Sequence, residues 1–383
     1  MLIAHLSDLH LGRASAGDPH GAQRLDSFRN ALGQLGRLNP DILIIAGDTF
    51  DGPDVELPVV QDAAKALSRL KNDNGDPIAV MLIPGNHDPS EADELWTAFR
   101  EYLGPSVKLL DEPTVTELAD GKIVIEAYPC ATRYSAVPPW EKRLEMRALD
   151  GKAVHVVVAH GTLKGGPVPE EDTDAYPFSQ AELEALGADY VALGHFHGIY
   201  PAWGDGDECE RSFSYAGTHE PTHFDRDSGY AMLASVSPGE PTRLRRLSVG
   251  RRQWRQIQLA GPSDVDHVDC LFKEIEASAD RSSYVVRLKV TNRQGWPTRA
   301  IDRLTRLEDA MRAFGVQIER RGDLQACADV ETLDLSALPS GALKEALLSL
   351  DADRRSCTDA NRRELLATAL QLGWEKTQGA MHA

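Results

Sequence analysis

Thiols are scarce in this sequence and nothing pairs them. Of 383 residues only five are cysteine (Cys130, Cys209, Cys270, Cys327 and Cys357), scattered and without a C-x-x-C spacing. That excludes a disulfide scaffold and a thiolate zinc site, and it fits a reducing compartment. Long apolar runs are lacking too. Runs such as Ile42 to Ala46 and Ala153 to Ala159 fall far short of the ~20 residues that cross a bilayer, so no membrane span is expected. The N-terminus MLIAHLSD has neither a basic segment nor a small-residue cleavage site, so the expectation is a cytoplasmic protein without a signal peptide. Positive charge is in deficit, with 41 Lys and Arg against 59 Asp and Glu, a net charge of −18. Such a surface does not coat nucleic acid non-specifically. A nucleic-acid enzyme stays open, because bound metal neutralises acidic groups and RLRRLSVGRRQWR, Arg243 to Arg255, is locally basic.

What is present is organised. The length implies two to three domains. The first half alternates short apolar runs with amphipathic stretches. Strands are expected at LIAHLSD, DILIIAGD, PIAVMLIPGNHD, KIVIEAYP, AVHVVVAHG and DYVALGHFHG. Helices are expected near Ser27 to Leu38, Val59 to Leu70, Ala92 to Tyr102 and Gln180 to Leu186. Runs this hydrophobic imply sheets covered on both faces. SFSYAG, GYAMLASV, TRLRRLSV and WRQIQL then follow closely, as antiparallel strands do. After GPSDVDHVD the pattern changes to helix, strand, helix and short strand (Val268 to Ala277, Tyr284 to Val290, Arg299 to Phe314, Val316 to Arg320), and the tail from Ser340 to Gly373 is helical in period. The expected parts are a catalytic domain over 1–260, a small α+β module over 265–325 and a helical tail over 335–383.

Five strand ends carry metal-binding residue types: Asp8 and His10 in SDLHLG, Asp48 in AGDTFD, Asn86, His87 and Asp88 in PGNHD, His160 in VVAHG, and His195 and His197 in GHFHG. One such end is commonplace, since a lone histidine after a strand is usually structural. Five together are not. Open α/β sheets gather their ligands beyond the C-terminal ends of their strands, and two histidines at i and i+2 of an extended segment share a face. The donors are nitrogen and oxygen without thiolate, which suits manganese, iron or zinc. They are too many for one tetrahedral ion and enough for two that share a carboxylate. Two ions clamp the attacking and leaving oxygens of a phosphoryl displacement.

The ordered set D-x-H, GD, GNHD, H and GHxH, covering about Met1 to Val236, resembles the calcineurin-like metallophosphoesterases. The resemblance implies an α+β fold, a four-layer double β-sandwich flanked by helices with the dimetal site at its strand ends. It implies one ion on Asp8, His10, Asp48 and His197, and a second on Asp48, Asn86, His160 and His195. His87 would assist the leaving oxygen, and Asp88 would orient His87. HLSDLHLG, RLDSFRNAL with PDILIIAGDTFD, and SYAGTHEPTHFDRDSGYAML look like the SbcD-type DNA repair nuclease branch, although His219 and Pro221 depart from its commonest pattern. For that branch the implied activity is manganese-dependent cleavage of DNA by a metal-bound hydroxide. The C-terminal α+β module would cap DNA, the tail would dock on an SbcC-like coiled-coil ATPase, and a homodimer would be one assembly. The alternatives are a phosphoesterase for a small phosphodiester or cyclic nucleotide, and a non-catalytic scaffold.

Other residues divide by environment. Arg13 and His219 are candidate substrate contacts. Glu220 reads as an anchor of its loop, and His5 and His155 as core histidines. Phe50 and Phe196 read as loop-packing residues with base stacking as the alternative. The arginines between Arg243 and Arg255 read as a solvated surface or a phosphate stripe. Trp296 with Arg293 and Arg299 is a candidate DNA-touching patch.

Overall fold

The computed structural model describes residues 1–12, 21–144, 152–167, 175–203, 208–224, 226–293, 295–327, 330–331 and 333–381. Contacts divide the chain into two compact units, Met1–Arg252 and Gln253–Ala383. The first unit opens with β1 (Leu2–Leu6), α1 (Gly21–Gly36), β2 (Ile42–Ala46), α2 (Leu57–Ser68), β3 (Ala79–Ile83), α3 (Asp93–Arg100) and β4 (Val107–Leu109). It continues through β5 (Thr114–Leu118), β6 (Ile123–Tyr128), β7 (Val154–His160), α4 (Gln180–Glu184) and β8 (Tyr190–Gly194). It closes with β9 (Glu208–Glu210), β10 (Phe213–Tyr215), β11 (Tyr230–Ser235) and β12 (Arg243–Ser248).

These strands form two sheets, one ordered β4-β3-β2-β1-β11-β12-β9 and the other β10-β8-β7-β6-β5. The period-2 alternation of strand side chains decides the layering. Leu43 and Ile45 pack with Phe28, Leu35, Ala63 and Phe99 from α1, α2 and α3. Their neighbours Ile42 and Ile44 face the second sheet, against Ile125, Val156 and Val158. The far face of that sheet packs Val157, Val191 and Leu193 against Leu183 of α4 and against Trp140. Helices, sheet, sheet and helix make the four layers of the double sandwich. Each fully buried Ile or Leu here contributes roughly 1.5–3 kcal/mol of transfer free energy.

One polar chain crosses the inter-sheet core. His5 of β1 meets the Tyr190 hydroxyl of β8 through Nδ1 at 2.8 Å, and that hydroxyl lies 2.8 Å from the Ser214 hydroxyl of β10. Burial drives His5 down to about 3 against a hydrogen bond with Leu193. His155 is a core histidine as well, 3.0 Å from the Glu126 carboxylate.

The second unit consists of β13 (Gln253–Leu259), α5 (Val265–Ala277), β14 (Tyr284–Val290), β15 (Trp296–Pro297), α6 (Thr298–Ala313), β16 (Gln317–Arg321), β17 (Ala326–Cys327), α7 (Ala342–Ser356) and α8 (Ala360–Met381). Its main sheet is β13-β14-β16. Leu259, Val268, Ile275, Val286, Leu288, Leu304 and Met311 fill the core beneath α5 and α6. Leu347 and Leu370 anchor a smaller cluster in the helical tail. Among the described residues no helix is long and apolar enough to cross a membrane.

Two strands differ from the antiparallel expectation. WRQIQL does not pair with TRLRRLSV, because the edge of β12 is occupied by β9, antiparallel through Leu244 and Cys209. β13 instead pairs parallel with β14, with α5 as the crossover, the connection that parallel strands require. SFSYAG likewise pairs parallel with β8, in the other sheet from β11. The chain therefore changes sheets between Tyr215 and Tyr230.

Candidate metal centre

β1, β2 and β3 run parallel, as do β6, β7 and β8. Their C-terminal ends meet at one seam, and the sharp turns there are built from strained backbone. Asp8 (φ 52°), His10 (φ 44°), Asp48 (φ 51°) and His195 (φ 110°) all have positive φ. Non-glycine residues held so cost of order 1–3 kcal/mol each and concentrate at functional sites. The seam is tight. A Cβ on Gly194 would lie 1.8 Å from the Ala46 carbonyl and 2.6 Å from His160 Nδ1, and one on Gly47 would lie 2.3 Å from the same nitrogen. Gly194 is therefore needed for close approach of the two sheets rather than for a turn.

The donors converge. His10 Nε2 and His197 Nε2 are 3.0 Å apart. His160 Nε2 lies 2.9 Å and His195 Nδ1 3.1 Å from the Asn86 amide oxygen. Asp48 Oδ2 is 3.5 Å from His160 Nε2 and 3.7 Å from His10 Nε2. Ligand atoms of Asp8, His10 and His197, of Asp8, Asp48 and His160, and of His10, Asp48 and His87 lie within 4.8 Å of one another in each group. Asp8, His10 and His160 are fully buried, and Asp48 is 1% exposed. Buried carboxylates and imidazoles this close, with no thiolate, fit divalent cations of the manganese, iron or zinc kind.

Neighbouring groups aim these donors. His160 Nδ1 donates to the Ala46 carbonyl at 2.9 Å, which turns Nε2 toward the cluster. The His195 amide donates to Asp8 at 3.0 Å, tying the end of β8 to the end of β1. The His87 amide donates to Asp48 at 2.8 Å. Burial would raise Asp48, but His160 beside it holds the carboxyl well below its usual range. Burial would lower His160, and Asp48 raises it to about 9. Burial lifts Asp8, with Asp48 adding to this and His160 opposing it. Burial and then His10 push His197 well down.

Asp51, the last residue of AGDTFD, contributes twice. Its carboxylate is 3.2 Å from His10 Nδ1, and His87 Nδ1 donates to its carbonyl at 3.1 Å. It is absent from the sequence expectations, which go no further than Asp48 in this motif. Its signal is a second carboxylate three residues on in the same strand-end loop.

Three expectations need correction. Asp88 does not orient His87. It is fully buried and accepts from the amides of Gly85 (2.7 Å) and Phe50 (2.9 Å). Burial and then Asp48 push it well above the carboxylate range, so it ties two loops together from behind. His219 does not face substrate. It is fully buried, donates through Nε2 to the Arg24 carbonyl at 3.1 Å and meets Phe28 edge-on at 6.0 Å, so it docks α1. Trp296 is fully buried and donates to the Asn292 carbonyl at 2.9 Å, which removes it from any surface patch. Among the arginines of Arg243 to Arg255, Arg243 and Arg245 are exposed on β12. Arg246 lies over Trp203 and Tyr230 and pairs with Asp227, while Arg255 pairs with Glu274. Arg13 lies outside the described residues. Phe50 is a core residue against Trp96 and Phe99. Glu220 anchors its loop, accepting from the amides of Arg251 (3.0 Å) and Arg252 (2.7 Å).

Several proteins are similar to this chain across the same region. Over 210 residues the chain is 27% identical to the uncharacterized metallophosphoesterase YhaO of Bacillus subtilis, covering 51% of this chain and 48% of that one. Over 204 residues it is 26% identical to the DNA double-strand break repair protein Mre11 of Methanocaldococcus jannaschii, covering 51% of each. Over 233 residues it is 28% identical to a subunit of the nuclease SbcCD of Bacillus subtilis, covering 51% of this chain and 57% of that one. The chain spans about half the length of these curated relatives. Residues 1–198, over half of the chain, match the calcineurin-like phosphoesterase family. The strand-end donors all lie within that match, and this protein belongs to the calcineurin-like phosphoesterases, which are metal-dependent phosphoesterases.

Proposed function

We propose that this protein is a dimetal phosphodiesterase that cleaves DNA, with manganese as the working metal. The observation that carries this reading is the fixing of His87, the partly exposed residue of the GNHD loop, beside a buried donor cluster: its ring and that of His10 lie edge-on at 4.8 Å. In this reading Asp8, His10, Asp48 and His197 hold one ion, Asp48, Asn86, His160 and His195 hold the other, and Asp48 is shared. The ions, when bound, lower the pKa of water and neutralise charge on the phosphoryl group. With Nδ1–H committed to the Asp51 carbonyl, His87 keeps Nε2 for giving a proton to the departing oxygen. DNA as substrate is supported by the likeness to proteins named as a DNA break-repair protein and a nuclease subunit. By their position after the phosphoesterase domain, as in the SbcD-type resemblance, we assign the module at 265–325 to DNA capping and the tail at 335–383 to docking on a coiled-coil ATPase.

The test uses purified protein with manganese on single-stranded DNA, double-stranded DNA and bis-p-nitrophenyl phosphate. His87→Ala is expected to slow turnover by about 10²–10⁴-fold with both ions retained. Loss of metal in that variant would make His87 a ligand instead. Turnover of the small ester with no DNA cleavage, alone or with a partner ATPase, would leave a small-molecule phosphodiesterase.

A further inference from the structure

The loop in which the chain changes sheets lies against the GHFHG turn. The Asp227 carbonyl accepts from the Ile199 amide at 2.7 Å, and the Asp227 carboxylate pairs with Arg246 at 2.8 Å. The Ser228 hydroxyl donates to the Arg226 carbonyl at 3.4 Å, and the Gly229 amide donates to the Thr218 carbonyl at 2.8 Å. The Thr218 amide in turn donates to the His197 carbonyl at 3.0 Å. This backbone is built against the end of the metal-binding strand from both sides.

It presents one cation there. The Arg226 guanidinium carbon sits 5.7 Å from the ring centroid of Phe196, the residue between His195 and His197. Phe196 is held in place by Tyr215, edge-on at 6.2 Å. Among the described residues no carboxylate pairs with Arg226, whereas Arg246 in the same cluster has Asp227. A cation over a partly exposed ring is weakly held, and its five N–H donors fit the oxygens of a phosphate better than any contact it makes here. Phe196 stands in the chain between two of the donor histidines, so a phosphate gripped by the cation over its ring would neighbour one held at the donor cluster.

We infer that Arg226 is a substrate-binding residue that grips the phosphate next to the one cleaved, and so selects a polymeric phosphodiester over an isolated one. This rests on the phosphodiesterase reading above. Arg226→Ala and Arg226→Lys are compared with wild type on a labelled single-stranded oligonucleotide and on bis-p-nitrophenyl phosphate, with metal content measured and oligonucleotide binding followed by anisotropy across a salt series. In Arg226→Ala the KM for the oligonucleotide should rise about 10- to 100-fold, and the ratio of kcat/KM on oligonucleotide to that on the ester should fall at least about tenfold. The slope of log binding constant against log salt should shrink by about 0.7, one single-strand phosphate contact. Arg226→Lys keeps the salt slope and recovers part of the KM. An unchanged oligonucleotide KM, an equal loss on both substrates, or a loss of metal overturns the inference while leaving the phosphodiesterase reading intact. A wild type that turns over the ester but neither binds nor cleaves the oligonucleotide overturns the DNA reading and this inference together.

Discussion

The two units handle backbone strain differently. In Met1–Arg252, eight non-glycine residues have positive φ, and four of them (Asp8, His10, Asp48 and His195) are proposed metal ligands. In Gln253–Ala383 every described residue with positive φ is a glycine: Gly295, Gly315 and Gly322. Both units contain parallel strands covered by helices. β14 carries one charged residue in its buried length, Arg287, and ends in Val290, and no donor cluster stands at its end among the described residues. Half of the strained residues in the first unit stand at the donor cluster, and the other four, Asn39, Ala119, Asp120 and Tyr176, lie outside it. Parallel β-structure of this kind forms without such strain.

The comparison predicts opposite responses to acid, and this is the largest expected effect. His5 is buried and neutral, depressed by burial to about 3 from a usual 6.5. The unfolded chain takes up that proton first, so the first unit loses stability as pH falls from about 6.5 toward about 3, by roughly 4–5 kcal/mol from this group alone. In the second unit burial raises Glu308, against Arg320 and Arg312. Its folded form holds a proton more tightly than the unfolded chain, so it stabilises at low pH and that contribution is lost as pH rises through its folded pKa. Urea denaturation followed by a probe in each unit, from pH 7 to pH 4, should show the first midpoint falling further than the second. His5→Gln should flatten the response of the first unit, and equal slopes in wild type and variant would refute the assignment.

Gly194→Ala comes next. The added methyl meets the Ala46 carbonyl inside the seam, and about 3 kcal/mol or more of stability should be lost. Gly315→Ala in the second unit meets only ordinary contacts, with Ser282 Cβ at 3.4 Å, and is destabilised mainly through its φ of +81°, by about 1 kcal/mol. Comparable losses from the two would erase the contrast. Asp51→Asn should weaken metal binding or turnover by about 10- to 100-fold with little change in thermal stability, read by metal titration beside melting. Trp296→Phe removes one buried hydrogen bond and should cost about 1 kcal/mol, with oligonucleotide binding unchanged. A large change in binding would return Trp296 to the DNA surface.

Much of this is legible from sequence, for a physical reason. Five-residue apolar runs ending in Asp, Asn or His declare both a buried strand and the polar end it delivers, and the sandwich follows from runs too hydrophobic to face water on either side. What stays hidden depends on depth and pairing. His219 and Trp296 are residue types found at sites and in cores alike, and only burial separates them. Asp88 adjoins His87 in sequence, yet its side chain turns inward to two amides. The pairing of β10 and β13 escapes a sequence reading because nearness in the chain argues for hairpins, whereas the free edges they join belong to β8 and β14. The positive φ values at Asp8, His10 and Asp48 leave no mark in composition, and neither does the Arg226–Phe196 contact.

The seam at Ala46 has one more consequence. Its carbonyl fixes His160, and its contact with Gly194 sets how near the two sheets come, so the spacing of the donor atoms is inherited from main chain packed against main chain. The loop bearing Arg226 meets this arrangement only beyond β8, through the His197 carbonyl and the Ile199 amide, so a change there reaches the cluster at its last donor and leaves the Ala46–Gly194 contact alone. The donor spacing is thus a property of the two sheets, set by main chain before any loop is laid over them.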